Sequence, residues 1–342
     1  MSTSQPIAVR ADAPAVLDLP PAHLELVWRP LHATDATAMH ALMAVIEDHD
    51  RMHTRHSYAE VLELLTGPGI DLEHDGLAGI DEDGTMRAYA LVEIDDDAGV
   101  LRAVLRGGVH PGWRGRGIGR AVLAWKEGRA RQRLAASGTE LPARMTVMVE
   151  DQARDHRSLY AAAGFSPIRW YSAMRRDLSA PVPRREMPDG VRLSAWSPDL
   201  DEQVRVAHNE AFADHWGCGP QSTSSWAQHE SAFAPEWSWV AVDSSGPRPE
   251  VVGYLMSARY EQDWPALGYT CGFTNAVGVR PLWRGRGVAS ALLVAAMTSY
   301  RDAGLAYACL RVDTANASGA GNLYAALGYT PTHGYVMYSV EI

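Results

Sequence analysis

The chain has 342 residues, 46% of them hydrophobic, and sets 31 Lys and Arg against 41 Asp and Glu for a formal net charge of -10. That length exceeds what one hydrophobic core ordinarily fills, so two domains are expected; the acidic balance excludes general nucleic-acid binding, which needs clustered Lys and Arg, and favours cationic partners such as amines. No apolar run is long enough to span a bilayer, and three cysteines without CxxC spacing fit reduced thiols in a cytoplasmic protein better than a disulfide framework.

Met1 to Asp18 mixes Asp, Pro, Arg and Gln without the basic-then-apolar order of a signal peptide, so residues 1–21 are expected to form a disordered tail. A first domain, 22–178, opens with a short strand at Leu24 to Trp28 and an amphipathic helix over Asp35 to Glu47. Strands follow at Gly76 to Ile80, Met86 to Ile94 and Val100 to Val109, with turn signals at Asp81-Glu82-Asp83-Gly84 and at Asp95 to Gly99. The next helix carries its apolar residues at helical spacing in Ile118, Ala121, Val122 and Trp125, and Gly138 is its expected stop. A strand at Met145 to Val149 and the segment Leu159-Tyr160-Ala161-Ala162-Ala163-Gly164-Phe165 complete this half.

Residues 179–189 are Pro-rich and polar, as a linker should be. The second domain, 190–342, repeats the order: a strand at Val191 to Trp196, a helix over Leu200 to Phe212, and strands at Trp239 to Val242, Val251 to Tyr260 and Tyr269 to Val279. Its next helix repeats the apolar spacing in Val288, Ala291, Leu292 and Ala295 and stops at Gly304. A strand at Ala308 to Val312 and Leu323-Tyr324-Ala325-Ala326-Leu327-Gly328-Tyr329 follow. Cys271 and Cys309 fall in apolar stretches and read as core. The first copy is longer around 138–142, where a loop absorbs length cheaply. This order predicts an α/β (α+β) protein, with a mixed, mostly antiparallel sheet flanked by helices and built twice.

The most informative repeat is Val109-His110-Pro111-Gly112-Trp113-Arg114-Gly115-Arg116-Gly117-Ile118-Gly119 against Val279-Arg280-Pro281-Leu282-Trp283-Arg284-Gly285-Arg286-Gly287-Val288-Ala289. Each copy ends a strand and opens a helix with small residues, which gathers bare N–H groups at a positive helix end. An anion fits there, most naturally a pyrophosphate. Glycines remove side chains, and Arg284 and Arg286, like Arg114 and Arg116, supply forked charge. One such segment alone could be a flexible basic turn. Two in the same context are not, and neither a P-loop nor a dinucleotide fingerprint matches.

On these residues both halves resemble Gcn5-related N-acetyltransferase (GNAT) domains. The signature Arg/Gln-x-x-Gly-x-Gly/Ala reads Arg114-x-x-Gly117-x-Gly119 and Arg284-x-x-Gly287-x-Ala289, and the resemblance runs from about residue 22 onward. It implies two tandem GNAT folds, each with a cleft where the fourth and fifth strands of the fold splay apart, acetyl-coenzyme A as cofactor, and no metal. It implies that Val277, Gly278 and Val279 line the pantetheine arm, with the Val279 N–H donating to the thioester carbonyl. Arg284, Gly285, Arg286, Gly287, Val288, Ala289 and Ser290 would then hold the pyrophosphate, and Asn316 would contact the cofactor or cap a helix. Tyr324 stands where the family places the acid that protonates the departing thiolate; as a residue it also reads as core on an amphipathic helix. The first half keeps Val109, the loop from Arg114 through Gly115, Arg116, Gly117 and Ile118 to Gly119, and Tyr160. It has Gln152, beside Glu150 and Asp151, in place of Asn316, and acids facing a phosphate site are unfavourable. Chemistry is therefore expected in the second half, with the first non-catalytic.

Many family members carry a carboxylate on the strand entering the motif, but Tyr269 to Val277 has neither carboxylate nor histidine. The tandem arrangement distantly resembles the mycothiol synthases, which carry a Glu where Phe273 aligns, so the departure argues against mycothiol synthesis. The base must come from elsewhere or through water. Asp214, His215, Trp216 and Glu261 are candidate acceptor contacts, since carboxylates beside tryptophan suit a cationic or sugar-like molecule; Asp214 and His215 also read as a helix end. Asp48 to His56 has metal-ligand residue types but no second ligand group, and reads as a solvated helix end. The chain is expected to be an acetyl-coenzyme A-dependent N-acetyltransferase acting on the primary amine of a small molecule, as a monomer or homodimer, without nucleic-acid or membrane partners. A protein or peptide N-acetyltransferase and a non-catalytic acyl-coenzyme A sensor are the alternatives.

Overall fold

A computed structural model describes residues 5–67, 69–97, 99–226, 231–315 and 319–342 of the chain. The chain divides into two units, residues 1–169 with 336–342, and residues 170–335. Unit 1 runs through α1 (Ile7–Arg10), β1 (Val27–Pro30), α2 (Ala36–His49), α3 (Tyr58–Thr66), α4 (Leu72–Asp75), β2 (Gly76–Ile80), β3 (Met86–Asp97), β4 (Val100–Val109), α5 (Ile118–Ala135), β5 (Ala143–Glu150) and α6 (Arg154–Ala162). Unit 2 takes β6 (Ser166–Asp177) from residue 170, then β7 (Val191–Ala195), α7 (Asp201–Ala211), α8 (Thr223–Trp226), β8 (Trp239–Asp243), β9 (Glu250–Ala258), α9 (Trp264–Leu267), β10 (Cys271–Val279), α10 (Val288–Asp302), β11 (Tyr307–Asp313) and α11 (Ala320–Ala326). The residues of β12 (Thr330–Glu341) before 336 belong to unit 2 and those from 336 to unit 1. The units therefore differ from linear halves at 22–178 and 190–342, because the closing strand of each copy pairs with strands of the other. In unit 2, for example, Tyr171 to Asp177 of β6 align with Asp313 to Tyr307 of β11.

Each unit has the expected mostly antiparallel sheet, ordered β1-β2-β3-β4-β5 in unit 1 and β7-β8-β9-β10-β11-β6 in unit 2. Its one parallel pair is short. Leu101 to Val104 pair with Ala143 to Thr146, and Cys271 to Thr274 with Tyr307 to Leu310, but β4 continues to Val109 and β10 to Val279. Beyond those points the neighbours part, which is the splay.

Apolar periodicity becomes packing on both faces of each sheet. On one face of unit 1, Ile118, Val122 and Leu134 of α5 bury against Leu105 and Met145; on the other, Met39 and Met43 of α2 and Val61 of α3 bury beside Tyr89. Val288, Leu292 and Met297 of α10 repeat the first arrangement in unit 2, and Val204 and Ala207 of α7 with Tyr254 repeat the second. Each such side chain contributes about 1.5–3 kcal/mol of burial. Helix α3 starts in a capping box, with Ser57 Oγ accepting from Glu60 N and Glu60 Oε2 accepting from Ser57 N. Cys271 and Cys309 are free and buried, and the Cys271 thiol is pushed up by its hydrogen bond with Cys309 and then by burial.

The tail is a correction to the expected disorder. Ile7 and Ala11 are buried in the unit 1 core, Arg131 of α5 donates to the Ala11 carbonyl at 2.7 Å, and Gln132 donates to the Pro14 carbonyl at 3.0 Å. A polar composition concealed one apolar anchor and carbonyls that α5 can satisfy. Ile7→Ala should lower the unfolding free energy by about 2–4 kcal/mol in denaturant titration; a loss within about 0.5 kcal/mol would mean that the tail does not dock.

Candidate active site

Both copies of the repeated loop adopt one backbone path. A short 3-10 turn, Pro111–Trp113 or Pro281–Trp283, leads to glycines of positive φ (79° and 92° at Gly115 and Gly117, 72° and 85° at Gly285 and Gly287) before α5 or α10 begins. A Cβ at Gly285 or Gly287 would meet nothing within 4 Å, so the left-handed backbone and not crowding requires glycine there. Successive N–H groups in this turn face a common concavity at the helix start, which suits an anion.

The strand feeding each loop offers further donors. Arg280 N donates to Val252 O and His110 N to Arg87 O, toward the antiparallel neighbour. N–H groups alternate sides along a strand, so those of Val277 and Val279, and of Gly107 and Val109, face the splay. Gly278 is needed for close approach: a Cβ there would lie 2.4 Å from the Tyr254 ring.

Charge separates the two copies. In unit 1, Arg114 holds Asp50 through two hydrogen bonds, at 2.6 and 2.8 Å, and Arg116 reaches Glu25 at 3.3 Å. In unit 2, Arg284 donates to the carbonyls of Val279 and Ala211, and Arg286 lies over the Trp283 ring at 5.0 Å; among the described residues neither pairs with a carboxylate. Unit charges about 4 Å apart in partly screened surroundings interact by about 4 kcal/mol. An arriving phosphate must therefore displace a doubly bonded ion pair at Arg114 and only carbonyl bonds at Arg284. The Arg116 pair is exposed and contributes little. Arg280 is bound to Glu210 and Glu250, which ties α7 to the end of β10.

The acid that opposes the first loop is thus Asp50, from the run read as a solvated helix end. Glu150, suspected instead, is buried and accepts from His53 N at 2.8 Å, with the His53 ring and Gln152 also bonded to it. His56 bonds Glu47 in the same way.

Tyr324 lies in α11, buried in the core that Val277 and Val279 pack against, with its ring 5.9 Å from that of Tyr329. Burial pushes its pKa up to about 12, so it is a neutral phenol with a proton to give at physiological pH. Tyr160 of α6 has the same elevation for the same reason. Asn316 lies outside the described residues.

The acceptor-side candidates occupy different settings. Asp214 is exposed, and His215 Nδ1 is 2.8 Å from the Trp216 carbonyl in the turn after α7. Glu261 is exposed in the turn before α9, 3.5 Å from Arg259. Phe273 packs edge-on against Tyr260 at 5.4 Å. The titratable group that sequence reasoning missed is His208 of α7, whose Nδ1 is 2.6 Å from the Tyr254 hydroxyl on the face where Gly278 approaches Tyr254. Its ring stacks on Phe212, and burial lowers its pKa to about 4.

A profile described as Acetyltransferase (GNAT) domain matches residues 235–331. The chain is similar to the mycothiol acetyltransferase of Thermobispora bispora, at 37% identity over 240 residues that cover 67% of this chain and 73% of that protein. The mycothiol acetyltransferase of Nocardia farcinica is 30% identical over 266 residues, 76% of this chain and 81% of that one. Among solved structures, a GCN5-related N-acetyltransferase from Sphaerobacter thermophilus aligns with TM-score 0.69 at 27% identity, over 95% of this chain and 97% of its own. A tandem GNAT protein from the clavulanic acid biosynthesis pathway shares the fold at TM-score 0.69 and 21% identity, over 93% of this chain and 98% of its own. The chain belongs to the GNAT acetyltransferase family. It is an N-acetyltransferase, homologous to the mycothiol acetyltransferases.

His208 provides a test of this geometry. Its folded pKa lies below the ordinary 6.5, so between about 6.5 and 4 the unfolded chain binds the proton that the folded chain refuses, and stability falls as pH falls through that window. NMR titration should find one imidazole with pKa near 4 that vanishes in His208→Gln, and this variant should lose part of the acid destabilisation. A His208 midpoint near 6.5 would refute the buried placement.

Proposed function

We propose that unit 2 transfers acetyl from acetyl-coenzyme A to the primary amine of a small molecule, and that unit 1 is non-catalytic. The observation carrying this reading is that among the described residues Arg284 and Arg286 have no carboxylate partner, whereas Arg114 and Arg116 have Asp50 and Glu25. The residues of unit 2 fit the cofactor by chemistry: two left-handed glycines, two forked cations, and strand N–H groups directed into the splay. When bound, acetyl-coenzyme A supplies the acyl group as an activated thioester. The Arg284 to Ser290 segment, including Val288 and Ala289, takes the pyrophosphate; the N–H groups of Val277 and Val279 hold the arm, and Val279 N–H donates to the carbonyl where charge builds up. The Tyr324 hydroxyl would supply a proton to the coenzyme A sulfur as its bond to the acetyl carbon gives way to the bond from the amine, and would regain one from solvent. Asn316 adds a cofactor contact, and Asp214, His215, Trp216 and Glu261 border the acceptor.

A ring of pKa about 4 is too weak a base to take a proton from an alkylammonium, so His208 positions Tyr254 and the amine loses its proton to solvent. The relatives are mycothiol acetyltransferases; Phe273 in place of a strand carboxylate favours an acceptor other than theirs.

Tyr324→Phe should lower kcat by about 10²-fold or more with little change in KM for acetyl-coenzyme A, while Tyr160→Phe leaves both near wild type. Arg284→Met should raise that KM, and Arg114→Met should not. Equal losses in the two units under steady-state assay would overturn the assignment to unit 2. With no base on β10, kcat/KM for the amine should rise with pH until the pKa of the free amine, and the break should move when an amine of different pKa is used. A break fixed near 6 to 7 for all amines would reveal a protein base.

A further inference from the structure

Unit 1 carries a cation that its duplicate lacks. Lys126 of α5 is 3% exposed, and among the described residues no hydrogen bond or salt bridge engages its Nζ. A buried ammonium without a partner is costly. Burial lowers its pKa to about 8, opposed by Glu127 on the same helix, so near neutral pH it is mostly charged. Its Nζ lies 3.1 Å from the position a Cβ would take on Gly107. Gly107 sits on β4 beyond Val104, where pairing with β5 ends, and its N–H faces the splay. From the other side comes His156 of α6, whose pKa is held down by burial and, among smaller effects, by Arg114 and Lys126, against the pull of Asp50.

Counted from the loop, the matching pair in unit 2 is Val277 and Ala296, both apolar and packed in the core. Unit 1 has exchanged a strand valine and a helix alanine for a strand glycine and a helix lysine. The lysine ammonium stands beside the position that the Cβ of a valine would take on Gly107. Meanwhile Asp50 and Glu25 occupy the loop arginines. The carboxylate-free cation has moved from the phosphate loop to the splay.

We propose that unit 1 binds a small organic carboxylate in the splay between β4 and β5, its oxygens taken by Lys126 Nζ and by the N–H group of Gly107. One ammonium and one backbone N–H group suit a planar, singly charged end. The surrounding face is apolar, with Leu105, Val122 and Val147 in the same core, which suits a carbon skeleton and disfavours inorganic phosphate. This inference does not depend on catalysis in unit 2.

Calorimetry on the full chain, with sodium succinate and separately sodium acetate at constant ionic strength set by chloride, tests it without an activity readout. At least one acid should bind saturably, about tenfold or more weaker in Lys126→Met. In the wild-type chain, affinity should fall as pH rises above about 8, where Lys126 loses its proton; this reading stands even if the variant folds poorly. The proposal is overturned if neither acid binds, if Lys126→Met binds undiminished, or if affinity is flat across that pH range. A second coenzyme A bound per chain and lost in Lys126→Met would also overturn it, by assigning Lys126 to the cofactor arm.

Discussion

The site depends on the early end of the parallel pairing between β10 and β11. Four residues of each strand align, through Thr274 and Leu310, and then β10 runs on with no strand paired on that side among the described residues. Backbone N–H groups in a partly buried place demand acceptors, and a peptide-like ligand arm provides them as an added strand would. The rest of unit 2 preserves that gap. Gly278 lets Tyr254 lie flat beneath the strand, Arg280 pins the strand end to Glu210 of α7, and the left-handed glycines turn the chain so that α10 starts with its positive end at the mouth.

Duplication preserved this geometry twice while the charges diverged. Loop dihedrals, strand alternation, the buried phenol and the Tyr under the glycine recur in unit 1 as Gly115 and Gly117, Val109, Tyr160 and Tyr89. Asp50, Glu25 and Lys126 do not recur. Backbone shape is maintained by burial and by glycine conformation, which many residues enforce together. Charge balance at a surface loop rests on one or two side chains, so it changes with little cost to the fold.

That asymmetry explains what was legible beforehand. The strands Gly76 to Ile80 and Val100 to Val109 were read to the residue, because alternation and turn residues bound them. Both helix-opening loops followed from the repeated motif, and the splay from the family resemblance that the motif carries. Helix α3 was missed although Ser57-x-x-Glu60 announces it, since its acid- and histidine-rich approach masked the capping box. The tail was misread because one buried isoleucine outweighs a polar composition. Asp50, Lys126 and His208 were invisible for a different reason. Each meets its partner or its gap only through tertiary folding, with Asp50 and Arg114 far apart in the chain and Lys126 meaningful only beside the missing side chain of Gly107.

Burial has one common effect on the titratable groups of unit 2. It raises Tyr324 to about 12, raises Tyr254 as well, and lowers His208 to about 4, so all three are neutral across the physiological range. With Phe273 where a strand carboxylate would otherwise stand, β10 itself carries no charge to hold an ammonium. Such a strand favours a neutral amine over its protonated form, because a charged one would be desolvated without a counter-ion. The formal positive charge of the site is confined to the phosphate loop, at Arg284 and Arg286. Under the proposed reading, cofactor recognition is electrostatic and the reacting nitrogen meets uncharged groups.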